Sequence, residues 1–179
     1  IVNMEGCTGH PLQSLADAIT MEEFKPKHRP KVVLTWAPHP KALPQAVANS
    51  FVEMMQLQDA DFVITHPEGY ELNPEITKKS KIEYDQDKAF ENADFIYAKN
   101  WSNYKQYGQI TNSDPEWTVT AKKMKSTNNA KFMHCLPVRR NMIVSDEVID
   151  SENSIVIQQA NNRTYAAQLV LQKILNNVS

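Results

Sequence analysis

The stretch KFMHCLPVRR, residues 131–140, ends an apolar run with an imidazole, a thiol and a proline and follows them with two arginines. A buried strand accounts for its first residues and not for its last. The same habit recurs along the chain. His39 lies just past KVVLTW (31–36), His66 closes DFVIT (61–65), Lys99 closes DFIYA (94–98), and His134 and Cys135 close 131–135. One polar residue at a strand end needs no function, because strands must end somewhere. Repetition at four apolar runs points to a shared site. Zinc is one candidate chemistry, since His39, His66, His134 and Cys135 could supply imidazole and thiolate. No H-E-x-x-H or C-x-x-C spacing joins them, so zinc is disfavoured. A Cys–His nucleophile pair is disfavoured too, because neighbours on a strand point to opposite faces. Anion binding fits better. Arg139, Arg140 and Arg163 come just after two successive apolar runs, and the guanidinium fork matches phosphate and carboxylate. His10 and Gln13 open a helix, whose amino end favours a negative ligand. For Arg140 a surface salt bridge is the plainer expectation, and for Arg163 it is solvation at the start of the last helix.

These residues need a frame that brings them together. HPLQSLADAITMEEF (10–24) has a proline near its start and Leu12, Leu15, Ala16 and Ile19 at helical spacing, although Glu22 and Glu23 sit at the end less favourable to acids. Pro26 and Pro30 stop it. KVVLTW predicts a buried strand, APHPKALP (37–44) a loop, and QAVANSFVEMMQL (45–57) a helix. DFVITH (61–66), KIEY (81–84), DFIYAK (94–99), KFMHC (131–135) and SIVI (154–157) read as further strands. Helices are expected at 74–79, at 85–93 with Asp85 as cap, near 121–127, at 145–149 and at 160–175. The last of these should bury Ala166, Ala167, Val170, Leu171 and Ile174 as one stripe. Residues 100–129 are polar and weakly periodic, a functional loop or disorder. The alternation predicts an α/β fold: a doubly wound, mostly parallel sheet with helices on both faces, which binds ligands beyond the carboxyl ends of its strands.

Composition narrows the function. The 179 residues suffice for one core, and 19 Lys+Arg against 21 Asp+Glu leave a net charge of -2. This gives no reason to expect nucleic acid or acidic membrane as a partner. No apolar run approaches the length that spans a bilayer. Four glycines, with neither a P-loop nor G-x-G-x-x-G, argue against a nucleotide cofactor. Cys7 and Cys135 form no disulfide framework and fit a reducing, cytoplasmic setting as free thiols. The chain opens on Ile1, so an incomplete or processed amino terminus is expected.

HPLQSLAD (10–17), HCLP (134–137) and NNR (161–163) resemble the H-P-x-Q, H-C-L-P and E-x-x-N-R motifs of the aspartate/ornithine carbamoyltransferase family. The resemblance covers the whole chain. It implies that residues 1–179 are the second, amino-acid-binding domain, beginning near the interdomain hinge, with the carbamoyl-phosphate domain outside these residues. Family members acting on free ornithine carry D-x-x-x-S-M-G and G-D-x-x-N. Here the corresponding stretches read ADFIYAKNW (93–101), which keeps Asp94 at the strand start but places Lys99 near its end, and TWAPHPKALPQAVANS (35–50). Lysine would repel a free α-ammonium and hold a carboxylate or amide oxygen. Both departures resemble the acylornithine branch. WAPHP, HPEGYEL, EYDQ, YAKNW and MHCLPVRRN look most like its succinylornithine members.

The resemblance to that branch implies carbamoyl transfer from carbamoyl phosphate to the δ-amine of an N-acylated L-ornithine, in arginine biosynthesis, by a homotrimer needing no metal or organic cofactor. It also implies residue roles. His10, Gln13, Cys135, Leu136 and Arg163 would serve the carbamoyl phosphate and the reacting centre. Glu5, His39, Lys99 and Arg139 would hold the acylornithine. Three positions depart from the pattern. Gln159 replaces a glutamate that might orient Arg163, Ile143 replaces a modifiable lysine of the acetyl branch, and Gly9 replaces a larger residue. The competing readings are an acetylornithine or an ordinary ornithine carbamoyltransferase, a non-catalytic amino-acid-binding domain built from the same half, and an α/β domain whose strand-end residues coincide by chance.

Overall fold

The computed structural model describes residues 4–177. Ile1, with its expectation of a processed terminus, lies outside them. In chain order the elements are α1 (Pro11–Phe24), β1 (Lys31–Trp36), α2 (Ala46–Met55), β2 (Asp61–Thr65), α3 (Pro74–Thr77), β3 (Lys81–Glu83), α4 (Gln86–Phe90), β4 (Phe95–Lys99), α5 (Ala121–Met124), β5 (Lys131–Met133), α6 (Asp146–Ile149) and α7 (Val156–Asn176). A 3₁₀ turn at Pro115–Trp117 precedes α5. Short polar side chains start the small helices: Asn73, Asp85 and Thr120 each accept a backbone N–H at the head of α3, α4 and α5.

The five strands form one sheet in the order β3-β2-β1-β4-β5, and every pairing is parallel. The strand order reverses direction at β1, which pairs with β2 on one side and β4 on the other. Alternation along the strands divides the core. Val32, Leu34, Trp36, Phe95, Tyr97 and Met133 pack with Met21, Phe51 and Met55 of α1 and α2. Val33, Ile96, Ala98 and Phe132 pack with Ala89, Phe90 and Val148 on the opposite side. A sheet covered on both faces explains why its central strands are so uniformly apolar.

Two expectations are corrected. SIVI is not a strand. Phe132 N–H donates to Asn153 O at 2.8 Å and Ile155 N–H to Phe132 O at 3.0 Å, which makes a single bridge, and the chain is helical from Val156. A short apolar run carries no period of its own, and the buried spacing of Val156, Gln159, Asn162 and Ala166 continues the helix backward. The stripe on α7 is also different. Ala166 is buried and Ala167 and Val170 half-buried, while Leu171 and Ile174 are exposed. The seam between α7 and α1 is instead polar: Asn162 Nδ2 donates to Thr20 Oγ1 and to Glu23 Oε2, both at 2.9 Å. This partner, with the Lys25 ion pair of Glu22, explains why α1 tolerates two acids in its last turn.

Residues 100–114 form an irregular but anchored loop. The buried Tyr70 hydroxyl accepts N–H bonds from Thr111 and Asn112 at 3.1 and 2.8 Å, and Asn103 Oδ1 closes a turn on Lys105 and Gln106.

Candidate active site

Beyond the carboxyl ends of β1, β4 and β5 lies a crevice of about 740 Å³. It sits at the strand-order reversal, where an open parallel sheet leaves room between diverging loops. Glu5, His10, Gln13, His39, Lys99, Cys135, Leu136, Arg139 and Arg163 all line it. They arrive on several elements: the head of α1, the loop after β1, the end of β4, the turn after β5, and α7. Lys41, Leu43 and Pro44 complete the wall from the loop after β1.

Two of the strand-end histidines do not line this crevice. His66 is buried against Tyr84 and Trp101, its Nδ1 2.9 Å from Pro67 O. His134 points inward, and its Nδ1 accepts the Leu136 N–H at 2.9 Å. Burial drops its pKa to about 3, so it is a neutral acceptor. That bond supports Leu136, which has a left-handed φ of 51°, a conformation costing an L-residue on the order of 1–3 kcal/mol. Cys135 and Leu136 are thereby turned into the crevice.

Arg163 is not at the start of a helix. It lies two turns into α7 and reaches the crevice from there. Gln159 orients something other than Arg163: its Oε1 accepts the His134 N–H at 2.9 Å and its Nε2 donates to Asp17 Oδ1 at 2.7 Å. Arg140 is a surface ion pair, holding Asp146 at 2.6 Å and also Asp150. Asp94 lies at the opposite, amino edge of the sheet, where Lys27, Lys31 N–H and Asn128 surround it. A Cβ on Gly9 would meet only Ser50 Oγ at 3.5 Å, an ordinary contact, so nothing there requires glycine.

The crevice is electropositive. Lys41, Lys99, Arg139 and Arg163 face one carboxylate, Glu5, and none of the four has an ion-pair partner among the described residues. His10 Nε2 lies 3.8 Å from Glu5. Burial lowers the His10 pKa, with Arg163 and Lys99 acting the same way against Glu5. Burial also lowers His39, and Lys99, Arg139 and Lys41 add to it. Both imidazoles are therefore neutral at pH 7 and can donate through one ring N–H without carrying charge. His39 Nδ1 lies 3.0 Å from both the amide N and the carbonyl O of Lys41, which fixes the loop. Burial raises the Cys135 thiol, opposed by Lys99, so it stays protonated at neutral pH and is unsuited to nucleophilic attack.

The head of α1 offers few free amides. Pro11 has no N–H, and Gln13 N–H and Ser14 N–H both donate to His10 O. An anion there would meet side chains and the helix dipole. Among the described residues no group of three or more His, Cys, Asp or Glu side chains could hold a metal ion. No helix among them is long and apolar enough to cross a membrane.

Two residues around the crevice escape the motif reading, although each has a signal in the sequence. Lys41 sits two residues after His39 in the same proline-rich loop. Asp17 sits four residues after Gln13, one helical turn along the same face of α1.

Comparison with known proteins places this geometry. The chain is 61% identical over 180 residues to the N-succinylornithine carbamoyltransferase of Bacteroides thetaiotaomicron, covering 99% of this chain and 57% of that protein. It is 34% identical over 196 residues to the N-acetylornithine carbamoyltransferase of Xanthomonas campestris, covering 98% and 58%. A crystal structure of an N-acetyl-L-ornithine transcarbamylase mutant complexed with carbamyl phosphate and N-succinyl-L-norvaline superposes with a TM-score of 0.86 at 35% identity, over 95% of this chain and 57% of that one. The chain thus spans somewhat over half the length of the relatives it matches. Residues 44–174 match the model for aspartate/ornithine carbamoyltransferase, Asp/Orn binding domain, and the chain belongs to that family.

Proposed function

We propose that residues 1–179 form the acylornithine-binding domain of a carbamoyltransferase that converts carbamoyl phosphate and N-succinyl-L-ornithine to N-succinyl-L-citrulline and phosphate. The observation that carries the reading is Lys99. It ends β4 inside the crevice, nearly buried and without a carboxylate partner among the described residues, where it suits an anionic or amide-bearing substrate rather than a free α-ammonium. The likeness to the succinylornithine enzymes of Bacteroides, at 61% identity, supports the succinyl form. The 34% likeness to acetylornithine enzymes makes N-acetyl-L-ornithine the second reading.

In this reading the neutral δ-amine attacks the carbonyl carbon of carbamoyl phosphate. A C–N bond forms, the C–O bond to phosphate breaks through a tetrahedral centre, and the departing phosphate takes up the amine's proton. The protein's work is orientation and stabilisation of the oxyanion. His10 donates to the carbamoyl oxygen and Gln13 contacts the carbamoyl group. The Leu136 carbonyl accepts the carbamoyl N–H, and Arg163 faces the phosphate. Glu5, His39 and Lys99 hold the acylornithine, and Arg139 supports both ligands. Cys135 contacts the amine and forms no adduct, since an amine nucleophile needs no acyl-enzyme. No metal or organic cofactor takes part. The complete protein is a homotrimer and works in the cytoplasm in arginine biosynthesis.

The test is kcat/KM for N-succinyl-L-ornithine, N-acetyl-L-ornithine and L-ornithine, at saturating carbamoyl phosphate, with the carbamoyl-phosphate domain present. The expected order is succinyl, then acetyl, with ornithine far behind, because its ammonium would sit unpaired near Lys99. A preference for free ornithine overturns the reading.

A further inference from the structure

Gln13 lines the crevice, yet an amide side chain can present either of two opposite surfaces. Turned one way it offers an acceptor oxygen, turned the other way two N–H donors. Something must choose, and Gln13 has no neighbour in the crevice wall that does so. The choice is made beneath the wall. Gln13 Nε2 donates to Asp17 Oδ1 at 2.7 Å, which leaves Gln13 Oε1 buried and without a partner among the described residues.

Asp17 is fully buried, and it fixes a second amide in the same manner. Gln159 Nε2 donates to the same Oδ1 at 2.7 Å, so Gln159 Oε1 must face the other way, where it accepts the His134 N–H at 2.9 Å. His134 Nδ1 then accepts from Leu136 N–H at 2.9 Å. Two chains of hydrogen bonds therefore start from one carboxylate oxygen. One ends at the free oxygen of Gln13, the other at the turn that carries Cys135 and Leu136. Neutral glutamine at 159 is what this arrangement needs, since a second carboxylate there would oppose Asp17 across the same gap.

We propose that Asp17 is a positioning residue for the carbamoyl-phosphate side of the crevice: by accepting both glutamine amides it turns Gln13 Oε1 toward the carbamoyl N–H and sets the turn of Cys135 and Leu136. This rests on the carbamoyltransferase reading above. Oδ1 receives both N–H groups and so acts here as an acceptor only, which is why it can dictate the orientation of both amides. Oδ2 makes no well-formed hydrogen bond among the described residues, and the Tyr97 hydroxyl that acts on the carboxyl group can accept as well as donate. A proton on Oδ2, or a nitrogen in its place, leaves the Oδ1 contacts standing, so Asp17→Asn keeps the arrangement. Asp17→Leu keeps the branched shape, though it is bulkier, and has no acceptor, so it releases both amides.

The experiment is a double-mutant cycle in the complete enzyme between Asp17→Leu and Gln13→Leu, with Asp17→Asn beside it. Asp17→Leu is expected to lower kcat/KM for carbamoyl phosphate by about a hundredfold, the cost of misplacing a reacting group by about 1 Å, while KM for the acylornithine stays within a few-fold. In the Gln13→Leu background the same change should cost less than about tenfold, because its target is gone. Asp17→Asn should stay within about tenfold of wild type. Should Asp17→Leu fail to fold, Asp17→Ser, whose hydroxyl is too short to hold both amides, carries the same cycle. Additive effects, an Asp17→Asn as impaired as Asp17→Leu, or a loss of melting temperature with unchanged kinetics would overturn the inference. Wild-type enzyme inert toward every acylornithine would sink the functional reading as well, whereas an active wild type with an indifferent Asp17→Leu sinks this inference alone.

Discussion

The sheet buries one aspartate near each of its two edges, and the two are treated in opposite ways. At the amino edge, Asp94 Oδ2 accepts the Lys31 N–H at 2.7 Å and pairs with Lys27 at 2.8 Å, while Oδ1 accepts Asn128 Nδ2 at 2.7 Å. Burial alone would raise its pKa, but these donors outweigh burial and hold it below the ordinary carboxylate range. On the crevice side, Asp17 has two neutral amides on one oxygen and none on the other. Burial pushes it up to about 7, against the opposing pull of the two glutamines, Tyr97 and Arg163. The polar atoms around it are similarly unfinished. His10 Nδ1, Gln13 Oε1 and His134 Nε2 are all buried without a partner among the described residues, while the Asp94 cluster leaves none. Buried polar groups are ordinarily satisfied, and exceptions call for a reason. At the amino edge hydrogen bonding serves only to lock β1, β4 and β5 together. Around Asp17 it is left incomplete, at His10 and Gln13 on the crevice wall and at His134 behind it.

The largest effect expected from this contrast is at Lys99. In Lys99→Met, affinity for the acylornithine should fall by about 2–5 kcal/mol, the loss typical of a desolvated charge contact. Carbamoyl phosphate binding should hold nearly constant. Calorimetry of the complete enzyme with each ligand separates the two. Equal weakening of both would mean that the crevice is one undivided anion site.

Asp94→Ala should do the reverse. Losing a charged acceptor of backbone and side-chain donors should cost about 2–3 kcal/mol of stability, visible as a lower urea midpoint. Steady-state constants should not move. A change in KM would show that the amino edge is coupled to the crevice after all.

The contrast is partly legible in the sequence. H-P-L-Q, H-C-L-P and the lysine closing β4 name the crevice residues because strand ends in a parallel sheet share an edge, and the alternation of elements makes the sheet parallel. A motif match makes Asp94 look like a retained site residue. Its place at the amino end of β4 puts it a full strand length from the crevice. Asp17 is visible as a motif letter but not as an anchor, since its role depends on Gln159, 142 residues away. The same distance explains Gln159, which reads as a lost partner of Arg163 until α7 is packed on α1. SIVI misleads because four apolar residues fit a strand or a buried helix start equally well.

The two edges should also differ in acid. Asp94, with a depressed pKa, contributes stability above the unfolded carboxylate range and loses it as pH falls through its folded value. Asp17 has the opposite sign. Its folded pKa of about 7 exceeds the ordinary 3.8, so its contribution is full below about 4 and is lost as pH rises toward 7. His134, lowered from 6.5 to about 3, gains stability over much of that interval as pH rises. The two therefore oppose each other between about pH 4 and 6.5, and of the two only Asp17 still titrates from about 6.5 to 7. Asp17→Asn should be stabilised relative to wild type more at pH 7 than at pH 5, measured by urea unfolding. A constant difference at both pH values would mean that Asp17 titrates near its ordinary range.

The smallest effects are expected at two adjacent arginines, which repeat the contrast within one dipeptide. Arg139 is exposed, lines the crevice and has no carboxylate partner among the described residues. Arg140 is spent on Asp146 and Asp150. Arg139→Ala should lower kcat/KM by about fivefold or less, since a solvent-screened charge is worth at most ~1 kcal/mol, and the loss should shrink further as salt is added. Arg140→Ala should leave kcat/KM unchanged at every salt concentration, with a shift in melting temperature near the limit of detection, because an ion pair in open solvent is screened at both ends. Salt-dependent kinetics for Arg140→Ala, or their absence for Arg139→Ala, would exchange the two assignments. The crevice would then begin one residue later, on the side of the turn that α6 supports.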